Sequence, residues 1–298
     1  MPNRAEWPRL WGSVPITNFY ANSRAQTIRI KEFKAQNRWG AALATGLDTL
    51  QMGRDTERGT TLIGSLVGMS FEALGARALE DVPVHLSATQ AENGARRLEQ
   101  LIAGATPFSA VLREEKWDFA TDISNNWEKP GNRGAGFWGH FLLPKTRVLR
   151  VHNDMMDDFI AQADKPALAQ TKIEAPAPWN FPINITYPTF PRSFWNNQRR
   201  QTKENLLLLR LALRAYRLTN GAYPAKIAAL APKYLAKMPT DAFGRGEVMR
   251  YQKKGDSYRL WSIGPDGIDN RGAPILNKSG RKPRFYTPES RGDVVAAP

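Results

Sequence analysis

The run of leucines near residue 210 limits the fold of this chain more than any other feature. Residues 206–209 and 211–213 are apolar, and only Arg210 interrupts them. At about 100° per residue, the leucines cover most of a helix circumference, while the basic side chains fall within roughly 60° of one another. The pattern predicts a long, largely buried helix over 197–219 with a single basic stripe. The stripe consists of Arg199, Lys203, Arg210, Arg214 and Arg217.

The basic stripe has two interpretations at this point. One is a solvated helix face, and the other is a docking surface for phosphates or anionic lipid, which suits a formal net charge of +14. Nucleic-acid modules combine such charge with a recognised fold or with exposed stacking aromatics. The sequence offers neither, so nucleic acid is not an expected partner.

The composition is that of a globular protein. The 298 residues leave room for two domains, with 42% hydrophobic and 23% charged residues. No cysteine is present, which excludes disulfides and thiolate chemistry. Residues 1–11 lack the basic stub and apolar core of a secretory signal. We therefore expect a cytoplasmic address if Met1 is the true start, and an extracytoplasmic one, on the periplasmic side of the inner membrane, if a signal or anchor precedes it.

Helical periodicity dominates the first half of the chain. Candidate helices are separated by short polar or Gly/Pro breaks and cover 18–36, 37–52, 60–79, 88–102, 108–117 and 144–163. Short connections of this kind give antiparallel helical hairpins. We predict a repeat-like helical-hairpin domain over 1–164.

The composition changes at residue 165. Residues 165–196 are rich in proline and aromatics, which favours an extended crossing segment. The long helix then opens a smaller domain over 197–275, in which strands 248–253 and 257–263 form a hairpin that turns at Gly255 and Asp256. A polar tail over 276–298 adds a short edge strand at 292–295. The predicted class is α+β: a mainly α N-terminal domain, then a long helix and a small antiparallel sheet.

The predicted helix, a loop, the hairpin and an aspartate turn follow one another in a recognisable order. Their residues are Tyr216, Asn220, Gly221, Tyr223 and Pro224 at the helix end, Asp241, Ala242, Phe243 and Gly244 in the loop, and Ser262, Gly264, Asp266 and Gly267 in the turn. In this order they resemble the globular head of the major pseudopilin of type II secretion systems. The resemblance covers the last third of the chain.

The resemblance implies a pilin-like head, in which the long helix packs on the small antiparallel sheet. The membrane helix of that family is missing from this sequence, because no apolar segment of about 20 residues is present. The resemblance also implies a place in the bacterial envelope and a protein partner in an envelope or secretion assembly, but it carries no activity. The whole layout resembles uncharacterised envelope proteins of the planctomycete type.

The turn after the hairpin is the strongest candidate metal site. The resemblance implies calcium at Asp266, and Asp269, Asn270 and the carbonyl of Ile263 could add oxygens, since calcium takes about six to eight. A purely structural Asx turn is the alternative.

Other groups of polar residues give weaker signals. His152, with Asp154 close behind it, lacks the further ligands that zinc or iron needs. Glu114, Glu115 and Asp118 offer a carboxylate pair of the kind used in glycoside hydrolysis. The sequence contains no P-loop, nucleophile elbow or dinucleotide fingerprint, so no nucleotide cofactor is expected.

These observations favour a non-enzymatic binding or scaffold protein of the bacterial envelope, related to pseudopilins, with a calcium-stabilised loop. One alternative is a hydrolase acting on envelope polymer, with a pocket between the helices and the proline-rich crossing segment. The other is a basic protein that binds DNA or a lipid surface. Clustered acids with raised pKa values in one cleft would favour the enzyme, and an open apolar groove would favour the scaffold.

Overall fold

The computed structural model describes residues 16–127, 144–177, 187–277, 279–281, 283 and 286–296. Its class is α+β and mainly helical, as predicted. The helices are α1 (Ile16–Ala35), α2 (Trp39–Glu57), α3 (Leu62–Ala78), α4 (Ala88–Ala103), α5 (Phe108–Asn126), α6 (Lys145–Gln162) and α7 (Thr189–Asn220). The strands are β1 (Arg250–Lys254), β2 (Ser257–Ser262) and β3 (Val294–Ala296). None of the described helices is long and apolar enough to cross a membrane.

Glycines allow α2 and α3 to pack closely as an antiparallel pair. A Cβ atom at Gly53 would lie 2.7 Å from the carbonyl oxygen of Gly68, and one at Gly68 would lie 2.6 Å from that of Gly53. A Cβ atom at Gly75 would likewise lie 3.1 Å from the carbonyl oxygen of Gly46. Because seven residues make about two helical turns, the glycines line one face of each helix. The two backbones therefore touch where side chains would otherwise separate them.

Helix α7 is 32 residues long and begins well before the predicted start at 197. Pro188 is its N-cap and Pro191 lies in its first turn, where the missing N–H costs no intrahelical hydrogen bond. The prediction that 189–196 is extended is therefore wrong. At the other end Gly221 adopts a φ of 78°, a left-handed conformation that glycine accepts without strain.

Helix α5 also exceeds its prediction, because it continues to Asn126 rather than ending at 117. Phe119 and Ile123, one turn apart, pack against a hydrophobic cluster and extend the apolar face of the helix. Helix α4 begins where the sequence predicts, with a capping box in which Ser87 and Gln90 bond reciprocally.

Two hydrophobic clusters share α7. In the first, the leucine run of α7 packs with residues of α2, α4 and β2. In the second, Phe190 and Phe194 near the start of α7 pack with residues of α5 and α6. The first cluster thus draws on both sides of the predicted domain limits, and the limits themselves stay a prediction.

The sheet has the order β1-β2-β3 with both pairs antiparallel. Lys254 lies opposite Ser257, so the hairpin turns at Gly255 and Asp256 as predicted. Gly255 has a φ of 54°, which the favoured two-residue turns require. On β2, Tyr258 and Leu260 are buried in the first cluster with the leucines of α7. The long helix therefore packs on the small sheet.

The crossing segment contacts the loop that follows α7. This segment contains a short 3₁₀ turn, Ala167–Ala169. The Ala167 N–H donates to the Ala242 carbonyl at 2.8 Å, and the Leu168 N–H donates to the Gly244 carbonyl at 3.0 Å. This segment therefore ties the end of α6 to the loop after the long helix.

We predict that Gly53→Ala destabilises the protein by about 1–3 kcal/mol or more, because the added methyl meets backbone that cannot move independently. Gly40→Ala is the control on the same helix, where the Cβ meets no backbone but only the Gln90 side chain, whose capping bond with Ser87 it would displace. We expect it to change the unfolding free energy by less than about 1 kcal/mol. Denaturant unfolding checks both, and equal effects would contradict the close approach of α2 and α3.

Candidate functional site

Five buried charged side chains meet where α2, α3 and α7 pack together. We call this set the charge cluster, and its members are Arg54, Glu57, Glu72, Arg200 and Glu204. Glu57 and Glu72 are 1% exposed and Glu204 is 2% exposed. Charged groups are rarely buried so completely unless they are paired.

The two arginines of the charge cluster bind its three glutamates. Arg200 Nη1 donates to Glu57 at 2.8 Å and 3.0 Å and to Glu72 Oε2 at 3.1 Å. Its Nη2 donates to the Asn197 side-chain oxygen at 2.7 Å. Arg54 Nη2 donates to Glu204 Oε2 at 2.6 Å, and its Nε lies 3.2 Å from Glu72 Oε1. The pairs join α7 to both members of the α2–α3 hairpin.

Burial is the main influence on ionisation in the charge cluster. It raises the pKa of Glu57, although Arg200 and Arg54 oppose the shift. It raises the pKa of Glu72 well above the usual range, and the Glu204 carboxylate adds to that rise. For Arg200, burial favours the neutral form, but Glu72, Glu57 and Glu204 outweigh it and hold the pKa above its ordinary value. Arg200 is therefore a permanent buried cation.

The basic stripe is not a continuous exposed surface. Arg210 is 5% exposed and lies beside the Tyr258 hydroxyl in the core. The prediction that Arg210 belongs to an anion-binding surface is therefore wrong. Arg214 Nε donates to the Leu86 carbonyl at 3.0 Å. Arg217 donates to the Asp256 carbonyl at 2.8 Å and stacks over the Tyr223 ring. Those three arginines serve the packing of α7 against its neighbours, while the side chains of Arg199 and Lys203 are partly buried.

Three aspartates organise the loops around the sheet. Asp241 accepts from the Ser262 hydroxyl at 2.6 Å and from the Ile263 and Phe243 N–H groups at 2.9 Å and 3.1 Å. Asp293 accepts from the Gly272 N–H at 2.6 Å and the Asn270 N–H at 3.1 Å. Asp266 accepts from the Gly292 N–H at 2.8 Å and from the Ile268 N–H at 3.2 Å. Each carboxylate thus satisfies backbone donors that the turns leave unpaired.

The predicted calcium ligands already have hydrogen-bond partners in this arrangement. Asp266 accepts backbone N–H groups with both oxygens, and Asn270 turns its amide N–H₂ toward Asp266 and the Ile268 carbonyl. Asp269 accepts from Trp261 and the Arg271 N–H, and the Arg250 guanidinium lies 3.5 Å away. Within the described ranges no group of three or more His, Cys, Asp or Glu could hold a metal ion. Calcium at Asp266, Asp269, Asn270 and Ile263 therefore stays a prediction.

The other candidate groups have structural roles in the described residues. Glu115 accepts from the Leu62 N–H at 2.9 Å at the start of α3, and burial raises its pKa. His152 is buried against Phe119, with ring centroids 3.9 Å apart, and burial lowers its pKa to about 4. His152 is therefore a neutral core residue at physiological pH.

An open cavity of about 400 Å³ lies between α6 and residues 171–176. We call it the α6 groove. Its apolar lining includes Val151, Met155 and Ile173, and its charged lining consists of Asp154, Asp158, Glu174 and Lys172. Acidic side chains thus outnumber basic ones in this groove, in a chain whose net charge is +14.

One wall of the α6 groove is fixed by hydrogen bonds to neighbouring elements. The Tyr187 hydroxyl donates to the Ile173 carbonyl at 2.6 Å. Gln170 donates to the Lys165 carbonyl at 2.8 Å and accepts from Gln198 of α7 at 3.1 Å. The hydrolase alternative predicts a pocket between the helices and the proline-rich crossing segment, and the α6 groove lies there. Periodicity alone does not identify its lining residues, because α6 packs against a segment without regular structure.

Comparison of the chain with protein-family models, with curated proteins and with solved structures finds no match.

We predict that Arg200→Ala lowers the unfolding free energy by about 3–5 kcal/mol, because it leaves Glu57 and Glu72 buried without their partner. Arg97→Ala is the control, since Arg97 pairs with Asp48 at 2.6 Å on the surface. The loss there should be at most about 1 kcal/mol. Urea unfolding at neutral pH measures both, and similar losses would show that the charge cluster contributes no more than a surface pair.

We predict that calcium and EDTA give the same thermal midpoint, because N–H donors already occupy the Asp266 oxygens. Asp266→Ala should lower the midpoint equally in both conditions, since it removes a turn cap. A calcium-dependent rise that this substitution abolishes would instead establish a bound ion through mass action.

Proposed function

We propose that the protein is a non-enzymatic binding or scaffold protein of the bacterial envelope, related to the pseudopilins of type II secretion. The observation that carries the proposal is the use of the buried carboxylates. Glu57, Glu72 and Glu204 bond to arginines inside the core, and Asp241 and Asp293 hold backbone N–H groups. These five carboxylates are engaged within the fold, whereas a hydrolase needs its acids where a substrate can reach them, as those of the α6 groove are.

The arrangement around α7 supports the pseudopilin part of the proposal. A long helix ends at Asn220 and a left-handed Gly221, and it packs on a small antiparallel sheet. The loop at Asp241 bonds to Ser262 at the end of the hairpin. Asp241 of the loop motif and Ser262 of the turn motif are thus in contact as well as ordered in sequence, as a common head module requires.

The α6 groove is the docking site in this proposal. Its apolar lining suits buried aliphatic side chains, and its acidic lining suits a lysine or arginine between them. We commit to an extended segment of a partner protein with that pattern as the occupant. The charge complementarity would favour basic partners and disfavour acidic ones.

The test measures binding of the full chain to four probes: an immobilised type II secretion pseudopilin head, peptidoglycan sacculi, vesicles with anionic lipid, and duplex DNA. We expect saturable binding to the pseudopilin head only. Asp158→Lys should weaken that binding about tenfold, because it reverses one groove charge. Asp157→Lys is the matched control, since Asp157 pairs with Lys116 rather than lining the groove.

Other outcomes would replace the proposal. Release of soluble fragments from sacculi would indicate a hydrolase. Binding to anionic vesicles that weakens steeply with salt would indicate a lipid-surface protein, and the same behaviour with duplex DNA would indicate a nucleic-acid-binding protein. Binding to the pseudopilin head that Asp158→Lys and Asp157→Lys weaken equally would refute the α6 groove as the docking site.

A further inference from the structure

The charge cluster contains an odd number of ionisable groups. Three carboxylates face two guanidiniums, and all five side chains are less than 10% exposed. With every group ionised, one negative charge would be left over in the core. A buried charge without a partner costs far more than a neutral group in the same place.

Hydrogen bonding identifies where the excess charge would reside. Glu57 binds Arg200 with both oxygens. Glu72 and Glu204, by contrast, each have a buried Oε1 atom that lacks a hydrogen-bond partner among the described residues. Arg54 Nε is 3.2 Å from Glu72 Oε1, but the geometry of that contact is not a hydrogen bond. The two carboxylates that contact Arg54 therefore have unused acceptors.

The charged groups of the other helices that pack against α3 lie away from Glu72. Lys34 of α1 pairs with Asp81, beyond the C-terminal end of α3. Glu115 of α5 binds the Leu62 N–H at the N-terminal end. The groups that act on Glu72 come from α2, as Arg54 and Glu57, and from α7, as Arg200 and Glu204.

We infer that the charge cluster holds one resident proton at neutral pH, on the Glu72 carboxyl beside Glu204. A protonated carboxyl can donate a hydrogen bond as well as accept one. Its O–H can therefore bond to an acceptor oxygen that two ionised carboxylates would leave without a partner. With this proton the cluster has no net charge, and α7 is joined to the α2–α3 hairpin by a neutral set of hydrogen bonds.

The direction of the pKa shift at Glu72 agrees with this inference. Burial raises the pKa of Glu72, and the Glu204 carboxylate raises it further. A pKa higher in the folded than in the unfolded state means that the folded protein binds the extra proton. Stability from this group is complete below the ordinary glutamate pKa of about 4.3 and is lost as pH rises through the folded pKa. Alkaline pH therefore weakens the attachment of α7.

The decisive experiment is a pH titration of the full chain labelled with ¹³C at the glutamate carboxyls. At pH 7 we expect one glutamate signal at the position of a protonated carboxyl, and it should move to the ionised position as pH rises. Glu72→Gln should remove that signal. Glu92→Gln, at a surface pair with Arg96, should retain it.

Unfolding gives a second measurement of the same proton. Between about pH 4.5 and the folded pKa of Glu72, the unfolding constant of the wild type should rise tenfold per pH unit relative to that of Glu72→Gln. The wild-type titration decides the matter alone if the variant does not fold. Ionised signals for every glutamate at pH 7, or a ratio of unfolding constants that does not change with pH, would overturn the inference.

Discussion

The pairing of Arg200 and Arg54 with three buried glutamates is the interaction on which the helical arrangement depends. Glu57 and Glu72 reach the same point only because glycines bring α2 and α3 into backbone contact. The arginines then attach α7 to that hairpin. If either contact is lost, charged groups remain in the core without partners, so the three helices stabilise one another as a set.

The charge cluster also gives α7 a defined position along its axis. The leucine run is apolar around much of the helix, and apolar packing fixes which residues meet less strictly than a hydrogen-bonded charge pair does. Arg200 Nη1 bonds to both oxygens of Glu57, which ties one position of α7 to one position of α2. The leucines thus supply most of the burial, and the charges specify which residues meet.

Sequence periodicity was sufficient to predict that the helices and the hairpin exist, because each is a local pattern. The packing of α7 on the sheet is not local, and only the resemblance implied it. The start of α7 was not predictable in the same way. A proline such as Pro191 indicates a break in a helix unless it lies in the first turn, and the sequence does not show where that turn is. Arg200 and Glu57 are 143 residues apart, and no local pattern relates them. The buried Arg210 shows the same limit, because helical spacing gives its direction on α7 but not the strand that covers it.

A single helix belongs to both hydrophobic clusters, and this couples the unfolding of one cluster to the unfolding of the other. Phe190 and Phe194 belong to one cluster and the leucine run to the other, while 32 residues span about 48 Å of continuous helix. If one cluster unfolded, half of α7 would lose its packing contacts and become exposed to water. The two clusters therefore form one cooperative unit, in which hydrogen exchange at the start of the helix reports on the same opening as exchange near its end.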